Sequence, residues 1–425
     1  MRDDSERGND PVDNYDLVIV GGGMVGASLA CALLPVAREL KLRVAVVEAE
    51  QMPAPGEPVF QPSYDARSTA LAYGVRAPFE RMGIWQQLVE HLTPIEHIHV
   101  SDRGRFGVTR LDAERENVSA LGYVVENHWL GQVLLSRLAQ HGAPEIDFIA
   151  PAQVEDLDNR ADGSQVRIAT AEGERTLNAG LVVIADGGRS SLREKLGIGY
   201  SQSSYEQHAL VANVSLDRGH GGVAYERFTD SGPIALLPGE DLDGQARCGL
   251  VWTLPEDDVD EVLALDDAAF LRKLQERFGY RAGRFIRVGE RFHYPLKLVL
   301  AEEQVRAGLV VLGNAAHALH PIAGQGFNLA FRGVVALADM IIERRREGLP
   351  LGDLHALQAF ETARHSDQFR TIQFSDRTMK LFTSSQPGVG LLRDAGLVAL
   401  ELCPLGKTLL ARAAMGLDQP APKLH

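Results

Sequence analysis

Residues 15–26, YDLVIVGGGMVG, constrain this chain more than any other stretch. Leu17-Val18-Ile19-Val20 is an unbroken apolar run of the kind that forms a fully buried strand. A glycine turn follows, and residues 24–34 continue as an apolar helix. Gly21, Gly23 and Gly26 satisfy G-x-G-x-x-G. The first allows a tight turn, the second lets a diphosphate approach bare backbone, and the third lets helix and strand pack closely. The helix start then offers free N–H groups and a positive dipole end to the phosphates. A second strand, 43–47, ends at Glu48, 22 residues beyond the last glycine. A carboxylate there accepts hydrogen bonds from a ribose hydroxyl. The alternative reading is an ordinary glycine-rich strand-to-helix turn.

Two further apolar runs, 181–184 and 309–312, behave like the first. One runs into Ala185-Asp186-Gly187-Gly188-Arg189-Ser190, the other into Gly313-Asn314-Ala315-Ala316-His317 and then HPIAGQGFNL at 320–329. Three buried strands, each ending in a glycine-containing turn, predict one doubly wound sheet whose ligand edge is assembled from distant segments. Between them, 207–255 alternates apolar and polar residues with aromatics, which predicts an antiparallel sheet as a separate layer. A helix is expected at 266–278, with Phe270, Leu271, Leu274 and Phe278 on one face. Residues 52–62 read as a Pro-rich loop, 131–139 as a short helix with Gln132 near its start, and 151–169 as a strand pair. Residues 64–71 are expected to lead into a helix, beside which Arg67 suits a phosphate or a polarised ring; the alternative is a surface arginine near Asp65. The part 354–417 reads as helical, broken at 387–390 and 403–404.

With 425 residues the chain has room for two or three domains. A formal net charge of −14 argues against a nucleic-acid partner. Cys31, Cys248 and Cys403 are scattered, with no CxxC or Cys/His cluster, so neither a zinc site nor a disulfide framework is indicated. They are expected to be buried thiols in a reducing compartment. Residues 1–12 read as a frayed polar leader, and no run of about 18 apolar residues predicts a membrane span.

Taken together, G-x-G-x-x-G at 21–26, A-D-G-x-x-S at 185–190 and G-N-A-A-H-x-x-H-P-x-x-G-Q-G-x-N at 313–328 resemble the class A flavoprotein aromatic hydroxylases, of the p-hydroxybenzoate hydroxylase type, over nearly the whole chain. Within that class, DARSTAL (65–71), HVSDRG (99–104), YERFTDSGPIALLP (225–238) and HPIAGQGFNLA (320–330) are similar to the ubiquinone-biosynthesis hydroxylases that act on a 2-polyprenyl-6-methoxyphenol. The resemblance implies an α/β fold with a Rossmann-like, glutathione-reductase-type FAD-binding domain over 13–93, 120–200 and 290–350. It implies an inserted antiparallel-sheet substrate domain over 94–119 and 201–289, and a C-terminal helical region over 351–425.

The same resemblance assigns roles. Gly21, Gly23 and Gly26 would hold the FAD pyrophosphate and Glu48 the adenosine ribose. Arg67 would lie beside the pyrophosphate and the flavin ring. Gln132 would make a polar FAD contact, and Val154 would offer backbone to adenine. Asp186 and Gly187 form the D-G motif associated with FAD and with NAD(P)H, the expected electron donor. Gly313 and Asn314 would contact the ribityl chain, Asn314 standing where the family has Asp. Ala330 and Gly333 also depart from the family pattern, on the helix rather than in the loop. Pro321 would approach flavin and substrate. Gly324, Gln325, Gly326, Phe327 and Asn328 would supply backbone N–H groups near the pyrimidine end of the flavin. Phe228, Ile234 and Leu236 would line the prenylated-phenol site. His317, His320 and Pro321 are the catalytic candidates, the two histidines either moving a proton or bracing the turn.

O2 is the expected co-substrate. Residues 390–415 are expected to pack on the core, with another subunit, a membrane surface or a biosynthetic complex as alternatives. The expected location is cytoplasmic, peripheral to the inner face of a membrane. Two other readings stay open: a same-fold flavin reductase or dehydrogenase acting on a prenyl lipid, and a non-catalytic prenyl-binding escort protein.

Overall fold

The computed structural model describes residues 12–51, 67–140, 144–160, 163–188, 191–320, 324–383, 388–418 and 423–424. Residues 1–11 of the expected leader 1–12, the connector 52–62, Asp65, Arg189, Ser190 and Pro321 lie outside them. The first sheet is built on five parallel strands in the order Leu309–Val311, Gly173–Ile184, Val12–Val20, Val44–Val47, Ile146–Ile149. Its register sets Val20 beside Val47 and Ile184, and Ile184 beside Val311. The chain therefore leaves the sheet on one edge at Gly21, Glu48, Ala185 and Leu312. Both faces are covered, which is why these strands read as unbroken apolar runs. Leu17, Ile19, Val44, Val46, Leu181 and Val183 meet the helices Met24–Ala37 and Gln325–Arg346. Val18, Val20, Ala45, Val47, Val182 and Ile184 meet the hairpin Ala152–Asp158/Ser164–Thr170.

By length and composition Gln325–Arg346 is apolar enough to cross a membrane. Its Phe331, Val334, Val335, Leu337, Ala338, Ile341 and Ile342 are at most 1% exposed and belong to the first core, so it serves as a core helix.

The second sheet is organised on the 17-residue strand Tyr200–Leu216, which pairs with Gln245–Pro255 on one side and Phe292–Ala301 on the other. Gly232–Leu242, Val223–Thr229, His97–Asp102 and Val108–Asp112 continue it. Leu210, Leu236, Leu250 and Trp252 point to one face and meet Phe270, Leu274 and Phe278 of the helix Asp267–Phe278. That helix is capped by Asp266, which accepts from Ala269 N at 2.7 Å. Phe292–Ala301 and His317–Ala318 pair in this sheet, not in the first where the stretch 290–350 would put them. Phe292–Ala301 pairs along Tyr200–Leu216, and His317–Ala318 joins the far edge of Phe292–Ala301 after the chain has passed through Leu309–Val311 in the first sheet.

A small sheet of Ser68–Ala72, Gly122–Glu126 and Thr93–Ile95 lies between the two. Ser68–Ala72 is a strand paired along its length with Gly122–Glu126, and through the turn Tyr73–Val75 it leads into the expected helix, which begins at Arg76.

The helix Leu354–Thr383 is fastened to Gln325–Arg346 by a buried charge cluster. Arg332 donates to both oxygens of Asp367, at 2.9 and 3.0 Å, and Arg364 adds a second ion pair. Burial pulls the Asp367 carboxyl upward, but the two guanidiniums hold it below its ordinary value. Cys31 and Cys248 are buried as expected; Cys403 is exposed.

Candidate active site

The glycine turn owes its shape to contacts no other residue permits. Gly21 sits at φ +100°, and a Cβ there would lie 2.7 Å from Ala185 O. A Cβ at Gly26 would lie 1.9 Å from Gly21 O. Gly23 is different: among the described residues, a Cβ there would meet no atom within 4 Å. The helix Met24–Ala37 starts after it with no side-chain cap. The turn thus presents bare backbone and uncapped N–H groups to open space, which fits a diphosphate.

Glu48 braces this turn from the side. Its carboxylate accepts from Gly22 N at 2.6 Å and from Glu50 N at 2.9 Å. Each oxygen keeps a second lone pair for a ribose hydroxyl. Val154 lies on Ala152–Asp158, whose backbone pairs with Ser164–Thr170 on one side. Asp186 accepts from Gly188 N at 2.8 Å, closing the tight loop that holds Gly187 at φ +70°. Gly313, at φ +64°, brings its loop against Val25 at the start of the first helix, and Asn314 is exposed there.

One residue of this edge escaped the sequence reading. Arg193 is 9% exposed, and its Nη1 donates to Ala315 O at 2.6 Å while Nη2 donates to Gly188 O at 2.9 Å. It ties the loop after the second buried strand to the loop after the third. Its position in LREK carries no motif.

The turn before Gln325–Arg346 begins at Gly324, φ +61°, where a Cβ would lie 2.8 Å from Ala70 Cβ. Gly324 gives this helix start no side-chain cap, and among the described residues a Cβ at Gly326 would meet no atom within 4 Å. Phe327 stacks on Phe331 in the core. Asn328 is 1% exposed; it donates to Ala70 O and Gly324 O at 2.9 and 2.8 Å and accepts from Ala72 N at 2.8 Å. Its side chain locks the turn to the small sheet rather than reaching for a ligand.

Two other residues expected to contact the cofactor make side-chain bonds within the protein. Gln132 lies in the second turn of Asn127–Gln140, not at its start, and its Nε2 is 3.0 Å from His128 Nε2. Arg67 Nη1 donates to Tyr294 OH at 2.8 Å, bridging to the second sheet from an exposed position.

The expected substrate residues divide between two faces. Ile234 and Leu236 are fully buried under Asp267–Phe278, so they are sheet core and not pocket. Phe228 points the other way but stacks on Phe382 with ring centroids 3.5 Å apart. The inner face carries Val211, Val251 and Ala235, adjacent in register across three strands and half-buried. Gly249, in the neighbouring row, faces Ser68: a Cβ there would sit 4.0 Å from Ser68 Cβ. Ser68 shares a strand face with Ala70, which abuts the Gly324 turn. The inner face therefore looks across the small sheet towards that turn. A water-sized polar cavity opens here, lined among others by Ser68, Thr93, Glu126, Asn213, Glu240 and Arg247.

His317 and His320 are 5% and 1% exposed. Among the described residues, His317 Nδ1 and both ring nitrogens of His320 have no hydrogen-bond partner. Burial pushes both imidazoles down from 6.5 to about 4. At neutral pH both are uncharged, too weakly basic to suit them for taking a phenolic proton. A lowered folded pKa means the unfolded chain binds the extra protons. The stability these rings contribute is present above pH 6.5 and is lost as pH falls towards 4, on the order of 3 kcal/mol per ring. The unfolding midpoint should drop steeply across that window, and His320→Gln should flatten the profile. An unchanged profile would show that His320 is not buried neutral.

The family model described as FAD binding domain matches residues 14–375. Ubiquinone hydroxylase UbiL of Rhodospirillum rubrum is 37% identical over 96% of this chain and 91% of its own length. The 3-demethoxyubiquinol 3-hydroxylase of Escherichia coli is 29% identical over 95% of this chain and 98% of its own. The structure of p-nitrophenol 4-monooxygenase PnpA from Pseudomonas putida shares the fold at TM-score 0.74, with 19% identity over 96% of this chain and all of that one. Coverage of this extent takes in both sheets and all three converging loops, and the chain accordingly belongs to the FAD-binding-domain family as an FAD-dependent monooxygenase.

Proposed function

We propose that this monooxygenase hydroxylates the phenolic ring of a polyprenylated ubiquinone precursor, a 2-polyprenyl-6-methoxyphenol, with NAD(P)H as electron donor and O2. The observation that carries this reading is the convergence of three loops on one sheet edge, opposite an apolar sheet face, in a chain 37% identical to a ubiquinone hydroxylase. Gly21, Gly23 and the uncapped helix start would hold the FAD diphosphate, Glu48 the ribose, and Asn314 the ribityl chain. FAD, when bound, would supply the hydride-accepting and O2-activating chemistry. The chain supplies position and electrostatics. The start of the helix Gln325–Arg346, whose cap residue Gly324 adds no side-chain hydrogen bond, is a positive helix end that would stabilise negative charge on a reduced ring. Val211, Ala235 and Val251 offer apolar surface that excludes water and suits a prenylated ring.

The test is a lipid-extract mass analysis of an aerated strain lacking this protein. Accumulation of polyprenyl-methoxyphenol with loss of ubiquinone is expected. Accumulation of a demethoxyubiquinol instead would overturn the proposed ring position while keeping the reaction class. Normal ubiquinone, in a strain with no second enzyme for the step, would overturn the substrate.

A further inference from the structure

We infer that the outward face of the two C-terminal helices, Val389–Leu402 and Pro404–Ala414, docks on an anionic lipid bilayer surface. Their amphipathicity is the reverse of that of an ordinary surface helix. The polar residues point inward and do the fastening. Arg393 Nε pairs with Asp102 at 3.1 Å, and Asp394 accepts from Gly107 N at 3.1 Å. Glu401 accepts from Arg110 N at 2.9 Å, and Lys407 donates to Glu401 at 3.0 Å. The leucines point out: Leu391, Leu392, Leu402, Leu405 and Leu409 are 66, 71, 76, 70 and 62% exposed. From 388 to 411 every exposed residue is Leu, Ala, Gly, Cys or Pro, and every charged residue is buried or half-buried. The packing on the core expected for 390–415 holds for Leu397 and Ala411, but not for these leucines.

Charge selects the occupant. Among the described residues from 362 to 413, the exposed charged side chains are Arg370, Arg377, Lys380 and Arg412, all basic, on a chain whose formal net charge is −14. Lys380 pairs with Asp376 at 2.7 Å and Arg370 with the exposed Asp418 at 3.5 Å, so the excess positive charge of this rim rests on Arg377 and Arg412. A basic rim around an apolar face suits anionic headgroups. With 14 and 11 residues the helices are short of the roughly 20 residues needed to cross a bilayer, so they would lie in its interface. Phe374 and Leu381, 46 and 45% exposed, extend the face onto the helix Leu354–Thr383. Phe382 carries apolar surface on to Phe228 at the inner side of the second sheet. The inference stands on this face alone and does not depend on the proposed substrate.

The experiment is co-sedimentation of the full-chain, flavin-loaded protein with vesicles of phosphatidylglycerol and phosphatidylcholine, against pure phosphatidylcholine. Binding to the anionic vesicles is expected, with weaker binding to the neutral ones. The double variant Leu392→Glu/Leu405→Glu should lose at least about tenfold in vesicle affinity while keeping its flavin absorbance and unfolding midpoint. Arg377→Glu/Lys380→Glu should remove most of the preference for anionic lipid. Wild-type protein left in the supernatant, or a double leucine variant that binds equally well, would overturn the inference. So would a lipid-free wild-type dimer that the leucine variant converts to a monomer, since the face would then belong to a second copy.

Discussion

Gly26→Val is expected to yield no stable fold, whereas Gly23→Val should yield a folded protein without flavin. The two glycines are three residues apart in one motif, yet they meet opposite surroundings. A Cβ on Gly26 falls 1.9 Å from a backbone oxygen, Gly21 O, and backbone has nowhere to retreat between a buried strand and a buried helix. The helix Met24–Ala37 must then lift off the sheet, opening the core around Leu17, Ile19, Leu29 and Leu33. Overpacking of that kind costs several kcal/mol, roughly 4 or more where the clash is with backbone. Gly23 has φ −65° and ψ −174°, an extended conformation valine adopts freely, and among the described residues its Cβ would meet no atom within 4 Å. Valine there fills only the space a diphosphate would enter. The measurements are the unfolding midpoint and the flavin absorbance of the purified protein. Retention of bound flavin by Gly23→Val would refute the assignment of this turn, and a normal midpoint for Gly26→Val would refute its packing role.

Arg247→Leu should destabilise the protein by about 3–5 kcal/mol, with most of the loss restored in the double variant Glu126→Leu/Arg247→Leu. Glu126 and Arg247 are 8% and 3% exposed and meet at 2.6 Å. They join the small sheet to the second sheet beside the polar cavity. Burial raises the Glu126 carboxyl above its ordinary value, and Arg247 opposes that shift. Removing the arginine leaves a buried carboxylate without its main counter-charge, the costly half of a broken pair. Replacing both partners removes the desolvation penalty together with the attraction. Chemical unfolding of the two single variants and the double measures the coupling directly. A single-variant loss below about 1 kcal/mol would mean that water already screens the pair.

The first sheet was legible in the sequence because its signals are local. Residues 17–20, 181–184 and 309–312 are buried on both faces, so each reads as an apolar run whatever packs on it. The glycines at 21, 23 and 26 report backbone geometry within a few residues, and the order of the three loops follows from the chain. Local pattern also marked Asp266 and the helix beyond it.

Tertiary structure decided the matters in which two local solutions are equivalent. Period-two alternation shows that Gly232–Leu242 has two faces, but not which one the helix Asp267–Phe278 will cover. That helix buries Ile234 and Leu236 and leaves Val211, Ala235 and Val251 towards the ligand edge. Arg193, Asn328 and the Glu126–Arg247 pair act on partners more than 100 residues away, except for the Gly188 and Gly324 oxygens close by, so no spacing could announce them. His317 and His320 are adjacent to the expected flavin loop in sequence, yet burial makes them neutral. The C-terminal leucines follow the same rule. Sequence shows a helix with an apolar side, and the ion pairs of Arg393 and Glu401 with distant residues decide that this side faces out. Local pattern thus settles which elements form and where the glycine turns lie, while long-range hydrogen bonds and burial settle which face of each element meets the site.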